Sequence, residues 1–384
     1  MSVLPQQPMI TAKRHMIVAG HYLATEAGAK ILEAGGNAID AGVAAGIALG
    51  VVHSDQVQFS GVAPMLIYLA EKDEVISIAG LGHWPKSASL SLFENQYNGK
   101  IPLGLLRTVV PAAPDAWITV LKNYGTMSFG EVATSAIKYA REGITVHPTM
   151  AKFLSRYQEN YRMWPSNSNI WQKNGDPLEV GDLLIQTDLA ASIQFMADQE
   201  AAVMKGGREK GLQAARDAFY VGDIASKIVK YHKENGGLMT ADDMASYRTP
   251  IEKPLSISFR GTEVYSCRPW CQGPVLLQML NILNDIDLNA MGHNSTDYIH
   301  YLAETIKLSF ADRERYYGDP NFIDVPIEKL LSSEFAKQRR EQINPRKAWP
   351  EMPPAGEIEG FGGISFRSVS YTHLRAHETS LHLV

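Results

Sequence analysis

Cysteine is almost missing from this chain of 384 residues: Cys267 and Cys271 are the only two. Their C-x-x-x-C spacing has no second pair and no neighbouring histidines, which a zinc site would need, so buried thiols are expected. Positive charge is not in excess either. Lys and Arg total 36 against 41 Asp and Glu, a formal net charge of −5, so nucleic-acid binding has no electrostatic support. The opening MSVLPQQPMITAKRHM lacks the apolar core of a Sec signal peptide, which reads as a cytoplasmic protein. The formal glycosylation sequon Asn294-Ser295-Thr296 then carries no meaning. No internal repeat and no low-complexity linker divides the chain. Hydrophobic content of 45% and charged content of 20% are ordinary for a globular protein.

What is present is most distinctive near the start, in AGHYLATEAGAKILEAGGNAIDAGVAAGIALGVV, residues 19–52. Leu23, Ala27 and Ile31, with Ala24, Gly28 and Leu32, share one helical face, and Glu26 precedes Lys30 by four. Gly35-Gly36 ends that helix, because glycine accepts the left-handed conformation of a C-cap. Asn37 caps a second helix, with Asp40 near its positive end. That second helix is built of Ala38, Ala41, Gly42, Ala44, Ala45, Gly46, Ala48 and Gly50, a composition suited to close packing. Its length and Asp40 exclude a membrane span, which needs about 20 apolar residues.

Periodicity and punctuation predict helices at 21–34, 38–51, 112–123, 130–142, 187–197, 222–234, 273–284 and 296–316. Strands are predicted at 64–70, 75–79 and 255–267. Residues 148–180, rich in Asn, Pro, Trp and Tyr, read as an irregular excursion, and 345–364, rich in Pro and Gly, as an extended loop. The charged cluster Asp312-Arg313-Glu314-Arg315 reads as a solvated or ion-paired helix end.

The run ATEAGAKILEAGGNAIDAGVAAGIALGVV resembles the opening of the gamma-glutamyltransferase (glutathione hydrolase) family. The likeness continues in order through PMLIYLA, EVISIAG, TVVPAAPDAW, FGEVATSAIKYAREGITV, GDLLIQTDLAASI, AFYVGDIASKIV, GGLMTADDMASYRTP, FRGTEVYSCRPWCQGPVLLQMLNIL and ETIKLSFADRERYYGDPNFIDVPIEKLLS, covering about residues 15–335. The resemblance implies an α+β fold, the four-layer αββα sandwich of the N-terminal nucleophile hydrolases. It further implies that the remaining strands come from a small-subunit half. Such a proenzyme cuts itself before a threonine, whose hydroxyl then attacks a γ-glutamyl amide with its own freed α-amine as base. No cofactor is implied. The implied partners are a small-molecule amide or peptide substrate and the protein's own small subunit, with no nucleic acid and no membrane.

The family's cleavage motif is Thr-Thr-His before a strand, and here Thr372 in Ser370-Tyr371-Thr372-His373-Leu374 is the one positional candidate. The sequence around it, VSYTHLRAHETSLHLV, does not continue as that strand. The reading therefore takes 1–368 as the large-subunit region and 369–384 as a non-native tail, with the chain short of the true nucleophile. His373 and His377 are followed by His382, so H-E-x-x-H fails by one residue and no metal site is read there.

Three departures from the family bear on substrate. Where the family has the arginine that grips the α-carboxylate of the γ-glutamyl group, alignment on Pro85 places Leu81. Arg107 is weighed as a replacement, against an exposed arginine before a strand. The family's His-Ser-Ser-Gly and its glycine run become, at 53–63, His53-Ser54-Asp55-Gln56-Val57-Gln58-Phe59-Ser60-Gly61-Val62-Ala63, in which His53 is either a base or a satisfied structural residue. A Pro-Pro-Ser-Ser-Gly-Gly turn becomes Arg268-Pro269-Trp270-Cys271-Gln272-Gly273-Pro274. These leave two alternatives open beside glutathione-type chemistry: an acylase of the same fold acting on a non-γ-glutamyl amide, or a non-catalytic fragment.

Overall fold

The structure is a computed structural model, and it describes residues 10–361. Two compact units divide the chain. One comprises the described residues up to Ala63 together with Gly80–Thr249; the other comprises Pro64–Ala79 and the described residues from Pro250 to Phe361.

The first unit is helical, and its centre is the helix Ala38–Val52, buried on nearly every side. It packs against helices Tyr22–Glu33, Ala113–Tyr124 and Phe129–Glu142. The small residues explain how. A methyl group at Gly46 would lie 3.1 Å from Trp117 Nε1, and one at Gly28 would lie 2.9 Å from the Ala41 carbonyl. Helices approach this closely only where side chains are nearly absent.

Asp40 does more than face a helix dipole. It closes a capping box with Asn37 and accepts hydrogen bonds from Thr126 N, Met127 N and the Thr126 hydroxyl (2.6 Å). Burial works against its charge, but the Thr126 hydroxyl and the amides of Asn37, Met127 and Thr126 together hold the carboxyl below the ordinary range. Two further distant side chains secure the same turn. Glu200, from helix Thr187–Val203, accepts from Phe129 N and Gly130 N at 2.8 and 2.7 Å. Arg208 donates to the carbonyls of Leu121 and Met127.

His232, on helix Asp223–Glu234, is 1% exposed. Burial pushes its pKa down from 6.5 to about 4. The folded state therefore binds fewer protons than the unfolded chain in this window. The resulting stability is present above pH 6.5 and is lost as pH falls through about 4. Urea titrations across pH 7 to 4 are expected to show an acid-linked loss of about 3 kcal/mol at most. That slope should flatten in His232→Gln; an unchanged slope would show that other groups carry it.

The second unit holds the antiparallel sheet Met65–Leu69, Glu74–Ile78 and Ile251–Glu252, and the hairpin Leu255–Phe259 with Thr262–Ser266. Helices Gly273–Leu283, Thr296–Tyr316 and Ser333–Arg340 form its helical part. Val275, Tyr316, Tyr317, Leu330, Phe335 and Ile358 make one core cluster.

Several expectations are corrected. Residues 255–267 are a hairpin rather than one strand, because Arg260-Gly261 turn the chain at φ of 50° and 82°. Residues 148–180 are not irregular: they form helices Pro148–Arg156, Gln158–Arg162 and Pro165–Trp171, then the small hairpin Gln172–Lys173 with Asp176–Pro177. Pro148 and Pro165 stand at helical first turns, where no amide is missed. Asp312 takes the ion-paired alternative of its reading, but in the core rather than at a solvated helix end. It is fully buried, 3.1 Å from Arg339 Nε, and it accepts from Gly356 N and Gln278. Burial pushes its carboxyl up to about 6 against the pull of Arg339. Its neighbours follow the surface reading, with Arg313 paired to Glu314 and Arg315 to Glu357. Among the described residues, no helix is long and apolar enough to cross a membrane.

Candidate functional site

Three loops of the first unit converge where the sequence departs from its family. Gly80 O accepts from Ala63 N at 2.8 Å, and His83 O accepts from Val110 N at 2.9 Å. Gly61 O takes both Ala112 N and Ala113 N at the start of helix Ala113–Tyr124. The segment 80–83 is thus clamped between 61–63 and 110–113. Its two glycines are required by proximity alone: a methyl at Gly80 would sit 2.2 Å from the Ala63 carbonyl oxygen, and one at Gly82 only 1.7 Å from that of Val110.

A buried ion pair supports this cluster. Asp115, 1% exposed, accepts from Arg216 Nε and from Thr249 N. Arg216 also donates to the Tyr247 carbonyl and lies 4.7 Å over the Tyr220 ring. The Tyr220 hydroxyl donates to Pro111 O at 2.7 Å and receives Asp115 N, while the Tyr247 hydroxyl donates to Leu81 O at 3.2 Å. The network therefore holds the backbone on either side of the clamp. Its members stand in blocks quoted above, Asp115 in TVVPAAPDAW and Tyr247 with Thr249 in ASYRTP, yet the pairing with Arg216 had no sequence signal. It joins residues 101 positions apart.

Leu81 is partly buried and brings no charge to the clamp. Arg107 does not replace the missing arginine. It sits in the turn Leu105–Arg107 and directs its guanidinium to the carbonyls of Ile101 and Pro102. Arg216 is likewise committed to Asp115 and Tyr247 O.

His53, weighed as base or structural residue, ends helix Ala38–Val52 and places Nδ1 2.8 Å from Asp55 Oδ1. Around that carboxylate the fold also gathers His147 and His21, which the sequence reading did not connect.

In the second unit, the thiols of Cys267 and Cys271 are half-buried rather than buried, and they are hydrogen-bonded to each other. Cys271 Sγ also accepts from Gly273 N. The hydrogen bond between them pushes the Cys267 thiol down and the Cys271 thiol up. Arg268 and Pro269 line a surface cleft of about 410 Å³ with residues 320–325 and 327. Thr372 and the segment 369–384 lie outside the described residues.

The profile of the family described as Gamma-glutamyltranspeptidase matches residues 24–384. The Glutathione hydrolase-like YwrD proenzyme of Bacillus subtilis is 33% identical over 357 residues, covering 92% of this chain and 65% of that protein. The Acylase ACY 1 proenzyme of Pseudomonas sp. strain V22 is 33% identical over 360 residues, covering 90% of this chain and 62% of the relative. The chain thus spans less than two thirds of the length of these curated relatives. Among solved structures, the gamma-glutamyltranspeptidase of Helicobacter pylori superposes with a TM-score of 0.82 at 31% identity, over 90% of this chain and 97% of that one. The fold is therefore the mixed α+β fold of the N-terminal nucleophile hydrolases to which that structure belongs. Within that class, the chain belongs to the gamma-glutamyltranspeptidase family.

Proposed function

We propose that this chain supplies the large-subunit part of a self-cleaving amide hydrolase and acyltransferase of the glutathione hydrolase type. The observation that carries this reading is the family match over residues 24–384, which takes in every loop of the clamped cluster. In the proposed reaction, a threonine freed by cleavage of its preceding peptide bond gives its hydroxyl proton to its own α-amine and attacks the substrate amide carbon. Backbone N–H groups stabilise the oxyanion, the C–N bond breaks, and the departing amine takes the proton. Water, or an acceptor amine, then displaces the acyl group from the ester. Thr372 is the positional candidate for the nucleophile. The proposed partners are a small amide or peptide substrate and a small subunit produced by the cut.

Leu81 favours a second reading on the same fold: an acylase whose amide lacks an α-carboxylate. A leucine offers no hydrogen bond to a carboxylate, while the guanidinium of Arg107 donates to the carbonyls of Ile101 and Pro102 and that of Arg216 to Asp115 and the Tyr247 carbonyl. Support comes from the Acylase ACY 1 proenzyme among the relatives.

The test compares turnover of a γ-glutamyl anilide and a 4-aminobutyryl anilide, which differ only by that carboxylate, in the proenzyme that carries this chain. Clear preference for the γ-glutamyl compound supports the first reading, and indifference supports the second. Under the second, Leu81→Arg is expected to shift the ratio toward γ-glutamyl about tenfold or more, the worth of a charge-assisted hydrogen bond. Loss of self-cleavage in Thr372→Ala, followed by mass spectrometry, checks the nucleophile. Cleavage persisting in that variant removes Thr372 from the mechanism.

A further inference from the structure

We infer that Asp55, His53 and His147 form a binding site for a divalent transition metal ion such as zinc. Each of the three offers one ligand atom, and these atoms all lie within 4.8 Å of one another. His53 Nδ1 is 2.8 Å from Asp55 Oδ1, and His147 Nε2 is 3.9 Å from the same oxygen. Nitrogen and oxygen ligands held about 2.0–2.1 Å from a tetrahedral zinc stand roughly 3.3 Å apart, so small movements bring these atoms to ligand spacing.

The fold fixes each ligand by a different device. His53 is the residue at which helix Ala38–Val52 ends, and its carbonyl accepts from Gln56 N and Val57 N, making the turn that carries Asp55. His147 caps helix Pro148–Arg156, its Nδ1 accepting from Met150 N at 3.2 Å. The His53 and His147 rings meet edge to face, 5.0 Å apart. His21, which caps helix Tyr22–Glu33, brings a third imidazole 5.5 Å from His147.

Two features favour a bound cation. The Asp55 side chain is fully buried, and among the described residues its ion-pair partners are His53 and His147, with no lysine or arginine. A buried carboxylate needs a compensating charge. Second, His147 Nε2 is buried with no hydrogen-bond partner in the structure. Two imidazoles and a carboxylate suit zinc and its neighbours rather than calcium or magnesium.

In the bound state the metal replaces the proton between His53 Nδ1 and Asp55 Oδ1. Ligation by His147 Nε2 leaves that ring's proton on Nδ1, so Met150 N gives up its bond to the ring. This amide lies in the first turn of the helix, where N–H groups have no intrahelical partner.

The full chain, stripped with chelator, is titrated with zinc by calorimetry and with cobalt by visible absorption. One ion per chain is expected, with cobalt bands of a tetrahedral site and no thiolate charge-transfer band. Asp55→Asn and His147→Asn should each weaken binding about tenfold or more. Asparagine at 147 retains a helix-capping side chain, and circular dichroism checks folding. A chain with His373, His377 and His382 replaced by alanine should bind as the parent does. Absence of saturable binding overturns the site. So does binding that survives His147→Asn in a folded chain, binding lost with the tail histidines, or a thiolate band tracing the ion to Cys267 and Cys271. Should either variant fail to fold, the band positions of the parent decide between imidazole–carboxylate and thiolate ligands.

Discussion

Arg216→Met is expected to lower the unfolding free energy by about 3–5 kcal/mol, the cost of breaking a buried pair by removing one partner. The Asp115 carboxylate would remain 1% exposed, with Thr249 N as its hydrogen-bond donor and no cation. The Tyr247 carbonyl would lose a charged donor, and Tyr220 the guanidinium over its ring. Urea unfolding should show the midpoint falling with little change in slope. The double variant Asp115→Leu, Arg216→Met should cost less than the sum of the two single changes, since it leaves no stranded charge. A single-variant loss under about 1 kcal/mol would mean that water reaches the carboxylate and that the pair is not the support described.

Gly82→Ala is expected to be comparably severe, about 3–5 kcal/mol, through backbone displacement rather than lost contacts. The added methyl would lie 1.7 Å from the Val110 carbonyl oxygen and 2.8 Å from its carbon. Segment 80–83 would have to leave the 110 loop, breaking the bond from Val110 N to His83 O. Gly82 is not in the left-handed region, so the penalty is one of space. Gly42→Ala serves as the contrast. No atom lies within 4 Å of a methyl there, and helix propensity favours alanine, so that variant should be neutral or slightly stabilised. Equal losses in the two variants would remove the proximity argument.

Helix positions were legible because their signals are local. Asn37 and Ser128 head capping boxes with Asp40 and Glu131, three residues on. The small-residue helix declared its close packing through composition alone. Residues 148–180 were misread because Pro148 and Pro165 start helices as readily as they end them. Hairpin 255–266 was misread because Arg260 and Gly261 sit inside an unbroken β-rich run. The site divided in the same way. Leu81 was found by alignment on Pro85, whereas the Asp115–Arg216 pair and the convergence of His21, His53 and His147 on Asp55 arise from long-range packing that no spacing encodes.

The turn at 125–128 bears on how the chain is made. Its donors and acceptors are matched by Asp40 from behind and by Glu200 and Arg208 from ahead. Helix Phe129–Glu142 therefore leaves the ribosome with two first-turn amides unmatched, and they stay so until some 70 further residues have been synthesised. At roughly 5–20 residues per second, that interval is several seconds or more. The first unit is then a single translational commitment: until Arg208 emerges, the nascent helices form a loosely latched array open to chaperones. Slowing translation just downstream of codon 208 should help the chain fold, and slowing it just upstream should expose it to proteolysis.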